Sequence, residues 1–178
     1  KRLEDLSMVK LTNDNYRAVK YSDIIIVAVQ PGQIKEVLTE IKDVINPNKH
    51  IIISVATGRT LKDIESIVGA KVPILRCMPN TAISVGQSMT CISANEKGKE
   101  NFKVAETIFN ALGETFCIEE RLMQAATVIC ASGIAFWMRL IRATTQGAVQ
   151  LGFHSEDAQK LGKYMTEKAE AMAKLVQQ

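Results

Sequence analysis

From Asp23 to Cys77, three short runs of apolar residues alternate with amphipathic stretches. Ile24 to Val29, His50 to Val55 and Val72 to Cys77 carry almost no polar alternation, the pattern of strands buried on both faces of a parallel sheet. Between the first two, Ile34, Val37, Leu38 and Ile41 recur at helical spacing as far as about Asp43. Between the second and third, Leu61, Ile64 and Ile67 do the same within Thr60 to Val68. Gln30-Pro31-Gly32, Asn46-Pro47-Asn48 and Ala56-Thr57-Gly58 mark the turns. This β-α-β-α-β order with short connections predicts a doubly wound unit with right-handed crossovers. Upstream, Lys1 to Leu6 reads as the end of a helix and Met8 to Leu11 as a short strand. Tyr16 to Lys20 reads as a helix capped from Asn13-Asp14-Asn15.

The later part of the chain drifts towards helix. Met89 to Ile92 and Glu114 to Ile118 read as strands flanking a helix, Glu96 to Ala111, whose face is Phe102, Ala105, Ile108 and Phe109. Glu119-Glu120 open a helix to about Cys130, where carboxylates suit the helix dipole. Ala131-Ser132-Gly133 interrupts it, helix resumes over Ile134 to Leu151, and Gly152 ends it. A last helix runs from Ser155 to about Val176. The fold class expected is therefore α/β: a doubly wound Rossmann-type parallel sheet over residues 1–118, then an all-α domain over 119–178. Ile134, Phe136, Trp137, Met138, Leu140, Ile141, Val149 and Leu151 cover more than one face of their helix and need a cover. A partner subunit in a symmetric dimer supplies one. The other reading is burial under the last helix, where Met165, Ala169, Met172 and Ala173 pack as core.

Composition narrows the classes. A net charge of +3 over 178 residues, with both signs interspersed, argues against a nucleic-acid or membrane-surface partner. No uninterrupted apolar run reaches the roughly 18 residues of a membrane span, and no secretory leader is recognisable. The four cysteines (Cys77, Cys91, Cys117, Cys130) lack C-x-x-C spacing and the histidines are only His50 and His154, so no metal site is expected. Reduced thiols in a cytoplasmic protein are the expectation. Lys1 falls within a helical-looking stretch, so the chain reads as beginning inside an element.

Ligands of open parallel sheets bind beyond the carboxyl ends of the strands. Three such ends are legible: Ala28-Val29-Gln30-Pro31, Val55-Ala56-Thr57-Gly58 and Cys77-Met78-Pro79-Asn80-Thr81. All are rich in small residues and turn formers, which let backbone approach a flat ligand, although ordinary connecting loops need the same residues. Met78 to Thr81 reads as the seam between the two halves, where a small substrate sits. Neither G-x-G-x-x-G nor G-x-x-x-x-G-K-[ST] occurs. Either the chain binds no dinucleotide or a first βαβ unit lies before Lys1. A break at Ser132-Gly133 exposes helix N-terminal amides, an anion site for a carboxylate, or is a plain kink. Arg139 and Arg142 meet a carboxylate or are solvated, and His154 is a cap or a surface residue.

Several segments together resemble pyrroline-5-carboxylate reductases. Ile24 to Pro31 resembles I-L-A-V-K-P, and Ser54 to Gly58 resembles S-x-A-A-G. Arg76-Cys77-Met78-Pro79-Asn80-Thr81 with Val85-Gly86-Gln87-Ser88-Met89-Thr90 resembles R-x-M-P-N-T-P-x-x-V-G-x-G-M-T. Ala126-Thr127, Ser132-Gly133 and Ala135-Phe136 resemble A-V-T-x-L-S-G-S-G-P-A-Y, and Gly147, Leu151 and Gly152 resemble G-V-x-x-G-L. The order and spacing hold along nearly the whole chain. The departures are Gln30 for Lys, Cys130-Ala131 for the first Ser-Gly, Ile134 for Pro, Phe136 for Tyr, and Arg139 near a usual hydroxyl.

The resemblance implies an oxidoreductase of proline biosynthesis, with a Rossmann domain binding NADP or NAD, NADPH favoured. It also implies a helical domain that makes a homodimer or a higher assembly of dimers. The family's G-x-G-N-M-G turn would precede Lys1, and its last helices would follow Gln178. It implies that Asn15 contacts the adenosine part of the cofactor, and that Ala28, Val29, Gln30 and Pro31 line the ribose and nicotinamide end. Ala56 and Gly58 would sit near the nicotinamide and Asn80 near the ring and the substrate. Glu120 would face the substrate, and the Ser132 and Gly133 amides would hold its carboxylate. Glu120 and Asn80 are the catalytic candidates, with no proton donor assigned. The implied reaction is hydride transfer to the C=N carbon of 1-pyrroline-5-carboxylate, giving L-proline. Two alternatives stay open. One is a related reductase of another imine or a 3-hydroxy acid, against which stands the absence of Lys from Ile134 to Leu151. The other is a catalytically silent paralogue acting as a binding or regulatory dimer, for which the altered Cys130 to Phe136 stretch speaks.

Overall fold

A computed structural model of the chain describes residues 8–176. It divides into two compact units, residues 1–131 and 132–178.

The first unit is built on a five-stranded sheet in the order β1 (Ile24–Val27), β2 (Ile51–Ser54), β3 (Ile74–Met78), β4 (Ser88–Ala94), β5 (Gly113–Cys117). Helices α1 (Asn15–Lys20), α2 (Ile34–Ile41), α3 (Leu61–Val68) and α4 (Phe102–Asn110) accompany it. β1, β2 and β3 are parallel, and β5 is parallel to β4. β4 runs antiparallel to β3, so the Rossmann-type sheet is mixed rather than wholly parallel. The reason is local: the link Pro79–Gln87 holds only a 3₁₀ turn (Thr81–Val85), too short for the crossover that a parallel strand needs.

Alternation along the central strands splits the core in two. Ile52 and Ile74 face α2 and α3 with Leu38, Ile41, Leu61 and Ile64. Ile53, Leu75, Cys77 and Ile92 face α4 with Ala105 and Phe109, the face expected for that helix. Met78 and Cys91 share a third cluster with Met123, Cys130 and Ala131, which holds the start of the helical region against the sheet. Side-chain caps define the helix starts: Asp14 accepts from Arg17 N–H, and Thr60 and Asp63 form a reciprocal capping box on α3. At Gly113 (φ 146°) a Cβ would lie 2.1 Å from the Ser88 carbonyl oxygen, so only glycine permits that strand approach.

Three expectations are corrected here. Met8–Leu11 is not a strand; Met8, Val9 and Leu11 are exposed in irregular chain. β1 is not buried on both faces among the described residues: Ile24 is 38% and Ile26 48% exposed, and the helices present cover only its Ile25 and Val27 side. β1 also stops at Val27, two residues short of the expected end. The helix end expected over residues 1–6 lies outside the described residues.

The helical region has one further surprise. A 3₁₀ turn (Glu120–Leu122) leads into α5 (Met123–Ala126), then a π-helical turn (Thr127–Ser132), then α6 (Gly133–Gln150). The break expected at Ala131-Ser132-Gly133 does not form. Ser132 has helical torsions (φ −80°, ψ −29°) instead of an extended N-cap conformation, so no helix N-terminus opens there. A wider turn absorbs the irregularity, as π-bulges do within longer helices.

In the second unit α6 packs on α7 (Ser155–Val176), with Thr145 and Ile141 of α6 close to Gly162. No residue of α6 is buried in the single chain. Phe136, Trp137, Met138 and Leu140 are each more than half exposed, and so are Met165 and Met172, which corrects their reading as core. Arg139, Arg142 and His154 are exposed.

Candidate functional site

The parallel strands β1, β2 and β3 end on one edge of the sheet, and three small-residue loops follow them. After β1, Gln30 and Gln33 close a turn: Gln33 N–H donates to the Gln30 carbonyl (2.9 Å) and Gln30 N–H to Gln33 Oε1 (3.3 Å). α2 therefore starts at Ile34, after this turn. Arg59 Nε donates to the Pro31 carbonyl (3.1 Å), tying the first loop to the second. In that second loop Ala56 is buried, while Gly58 has φ 75° and open space where a side chain would sit. Asn15, Ala28 and Val29 border one groove of about 220 Å³ along β1, which joins two of the expected cofactor segments. The Asn15 side chain donates to Glu40 Oε2 (2.9 Å).

The third loop is the most firmly built. Asn80 N–H donates to Ser88 Oγ (3.1 Å), and Asn80 Oδ1 accepts from Ala82 N–H (3.0 Å), starting the 3₁₀ turn. Asn80 Nδ2 donates to the Cys130 carbonyl in the π-helical turn (2.9 Å). Asn80 thus joins the end of β3 to the helical segment, which its sequence alone does not reveal.

Glu120 is likewise committed. Its Oε1 accepts from Arg76 (2.8 Å) and from Leu61 N–H at the start of α3 (2.5 Å). Arg76 is 8% exposed on β3, between Ser54 of β2 and Ser93 of β4, whose hydroxyls are buried without a protein partner. The Glu120 carboxylate neutralises a buried guanidinium and caps α3, leaving Oε2 for any further contact. Arg76 was not singled out from sequence. A lone arginine inside an apolar strand was the available signal, since a buried charge needs a partner.

Ser132 and Gly133 begin the second unit; Ser132 is exposed and makes no side-chain cap. No cluster of metal-ligating side chains occurs among the described residues.

Two family descriptions match the chain: NADP oxidoreductase coenzyme F420-dependent over residues 1–58, and pyrroline-5-carboxylate reductase dimerisation over residues 120–178. Pyrroline-5-carboxylate reductase 1 of Dictyostelium discoideum is 44% identical over 160 residues, which is 83% of this chain and 29% of that protein. Pyrroline-5-carboxylate reductase 2 of the same organism is 38% identical over 174 residues, 89% of this chain and 58% of that protein. The chain belongs to the pyrroline-5-carboxylate reductase family. The solved pyrroline-5-carboxylate reductase of Coxiella burnetii superposes with a TM-score of 0.84 at 34% identity, over 94% of this chain and 63% of that one. The Plasmodium falciparum pyrroline carboxylate reductase, solved with NADP bound, gives 0.83 at 27% identity, over 92% and 62%. The chain thus spans less than two thirds of the length of each of these family members.

Proposed function

We propose that the protein to which this chain belongs reduces 1-pyrroline-5-carboxylate to L-proline with NADPH or NADH, in the cytoplasm, as a homodimer or an assembly of dimers. The observation that carries the reading is the tie from Asn80 to the Cys130 carbonyl. It links the loop resembling the family's M-P-N-T stretch to the turn resembling its carboxylate-holding segment.

The residues present suit a dinucleotide at its nucleoside and nicotinamide ends. Small side chains at Ala28 and Ala56, and open space at Gly58, leave room for a flat ring at the strand ends. Asn15, Ala28, Val29, Gln30, Pro31, Ala56, Gly58 and Asn80 are the residues we assign to it. A reduced nicotinamide, when bound, supplies the hydride. The chain's own work is positioning and electrostatics. Asn80 orients the loop at the ring end, and the exposed Ser132 hydroxyl is assigned to the substrate carboxylate; Gly133, which the resemblance also implies there, lies within continuous helix and offers no open N-terminal amide. Glu120 keeps Arg76 neutralised and has Oε2 left to face the substrate's ring nitrogen. Asn80 and Glu120 remain the catalytic candidates.

The exposed apolar surface of α6 and α7 supports the homodimer. Glu120–Gln150 is long and apolar enough, by length and composition, to cross a membrane, and 6% of its most apolar window is buried. The sequence reading missed this length because it broke the helix at Ala131. Arg139 and Arg142 lie inside that helix, and each would cost about 2.5–3.5 kcal/mol at a bilayer centre. A protein partner is the better cover.

The test is NAD(P)H oxidation at 340 nm with the imine, coupled to proline detection, for the whole protein and for Ser132→Leu. Proline should form, and Ser132→Leu should raise the KM for the imine about tenfold or more while leaving dinucleotide affinity unchanged. Dinucleotide binding without proline would sink the reductase reading in favour of a silent paralogue. Unchanged imine kinetics in Ser132→Leu would sink the role of that turn.

A further inference from the structure

Cys91 and Cys130 lie on different elements yet meet. Cys91 sits on β4, 2% exposed, on the same sheet face as Met78. Cys130 sits half-buried in the π-helical turn. The Cys91 thiol donates to the Cys130 sulfur across 3.9 Å. Around them are Met78, Met123, Ile118, Ala126 and Ala131, all uncharged. We propose that Cys91 and Cys130 are a reversible dithiol–disulfide pair, an oxidation site that locks the π-helical turn to β4.

The geometry allows the bond. A disulfide brings its sulfurs to about 2.05 Å, so the two must close by roughly 2 Å. One partner is on β4, a strand paired on both sides by β3 and β5. The other is on a π turn, the kind of helical irregularity that accompanies functional sites and local rearrangement. Access is unequal. Only Cys130 is reachable from solvent, so the oxidant meets it first.

The chemistry balances with hydrogen peroxide as the two-electron oxidant. The Cys130 thiolate attacks a peroxide oxygen; the O–O bond breaks, hydroxide leaves, and Cys130 becomes a sulfenic acid. The Cys91 sulfur then attacks the Cys130 sulfur, the S–O bond breaks, and the hydroxyl leaves as water with the Cys91 proton. Two thiols and one peroxide give one disulfide and two waters. An external dithiol reverses it by thiol–disulfide exchange. Burial pushes the Cys91 thiol up to about 11, so closure is slow at neutral pH and quickens as pH rises.

The consequence follows from Asn80. Its amide holds the carbonyl of the same Cys130 (2.9 Å), so pulling Cys130 towards β4 shifts or breaks that bond. Resting on the proposed function, the disulfide acts on imine binding. Cys130 also occupies the place of the first Ser in the family's S-G-S-G segment, so this half of the pair is one of this chain's own departures.

The experiment treats the whole purified protein with hydrogen peroxide, blocks the remaining thiols with N-ethylmaleimide, and maps non-reduced peptides by mass spectrometry. A Cys91–Cys130 linked peptide, lost on adding dithiothreitol and absent in Cys91→Ala and Cys130→Ser, is the expected result. In the same samples the KM for the imine should rise at least threefold on oxidation and return with dithiothreitol, while Cys91→Ala keeps its own untreated value. Cys130 recovered as sulfinic acid, or linked only to the exposed Cys117, would overturn the pair whatever the activity shows. The linked peptide in a protein with no imine turnover would uphold the pair and overturn the functional reading instead.

Discussion

Replacing Glu120 with Ala tests the joint that holds the first unit's candidate site. The change strips the partner from Arg76, whose side chain is 9% exposed, and the acceptor from Leu61 N–H. Removing one member of a buried ion pair costs about 3–5 kcal/mol, because the remaining charge stays buried. A lost acceptor at a helix N-terminus adds about 1 kcal/mol. Glu120 is itself 32% exposed, so water reaching the vacated space offsets part of the loss. The expected cost is about 3 kcal/mol, which for a chain of this size lowers Tm by about 6–12 °C. Thermal and urea unfolding by circular dichroism read it directly. Glu120→Gln keeps an oxygen for both donors and should lose about half as much. In an Arg76→Met background, where no buried charge remains, Glu120→Ala should cost about 1 kcal/mol or less. Equal losses from Glu120→Ala in both backgrounds, or a Tm change within 2 °C of the parent (roughly 0.5–1 kcal/mol), would refute the coupling.

Asn95 offers a second stability test. It is 6% exposed, donates to the Val72 carbonyl (2.9 Å) and Glu65 Oε1 (2.8 Å), and accepts from Ile74 N–H (3.0 Å) and Gly98 N–H (2.7 Å). Asn95→Asp keeps the shape but turns both donors into acceptors facing acceptors, so urea unfolding should show a loss of about 3 kcal/mol at pH 7. His50 predicts a pH dependence. It is 2% exposed, and burial, then Lys49, hold its pKa below 6.5. Nδ1 accepts from Asn46 N–H (3.0 Å), so the folded imidazole is neutral. The unfolded chain therefore binds the proton first as pH falls. The His50 contribution is complete above about 6.5 and is lost as pH drops from there towards the folded value. Melting curves from pH 7.5 to 5 should show this decline steeper in the parent than in His50→Gln, and parallel declines would count against it.

Much of the first unit was legible in the chain's pattern because its signals are local. Branched apolar runs, helical periodicities and turn residues mark β1–β3, α2 and α3 without reference to anything distant. The Phe102, Ala105, Ile108 and Phe109 stripe identified the inward face of α4 for the same reason. The Met8–Leu11 strand failed because four residues, three of them apolar, carry too little information without a neighbour to pair. β1 was read as buried on both faces because composition records apolarity, whereas cover depends on what lies beside the strand. The break at Ser132-Gly133 was misread because Gly and Ser lower helix propensity, yet the apolar residues on either side keep the backbone helical through a π turn.

The candidate site divides the same way. Loops at strand ends could be named from sequence, since parallel strands must release their loops on one edge. Their partners could not. Asn80 with Cys130, Arg76 with Glu120, and Cys91 with Cys130 are separated by 39 or more residues. Which of these donors meets which acceptor depends on register and helix placement. The sequence by itself determined the elements, their alternation and the family pattern, because these follow from short-range spacing of residue types. The tertiary structure alone decided that β4 runs against β3, that Glu120 serves a buried arginine, and that two cysteines share one contact. Each of those depends on where distant segments come to rest against one another.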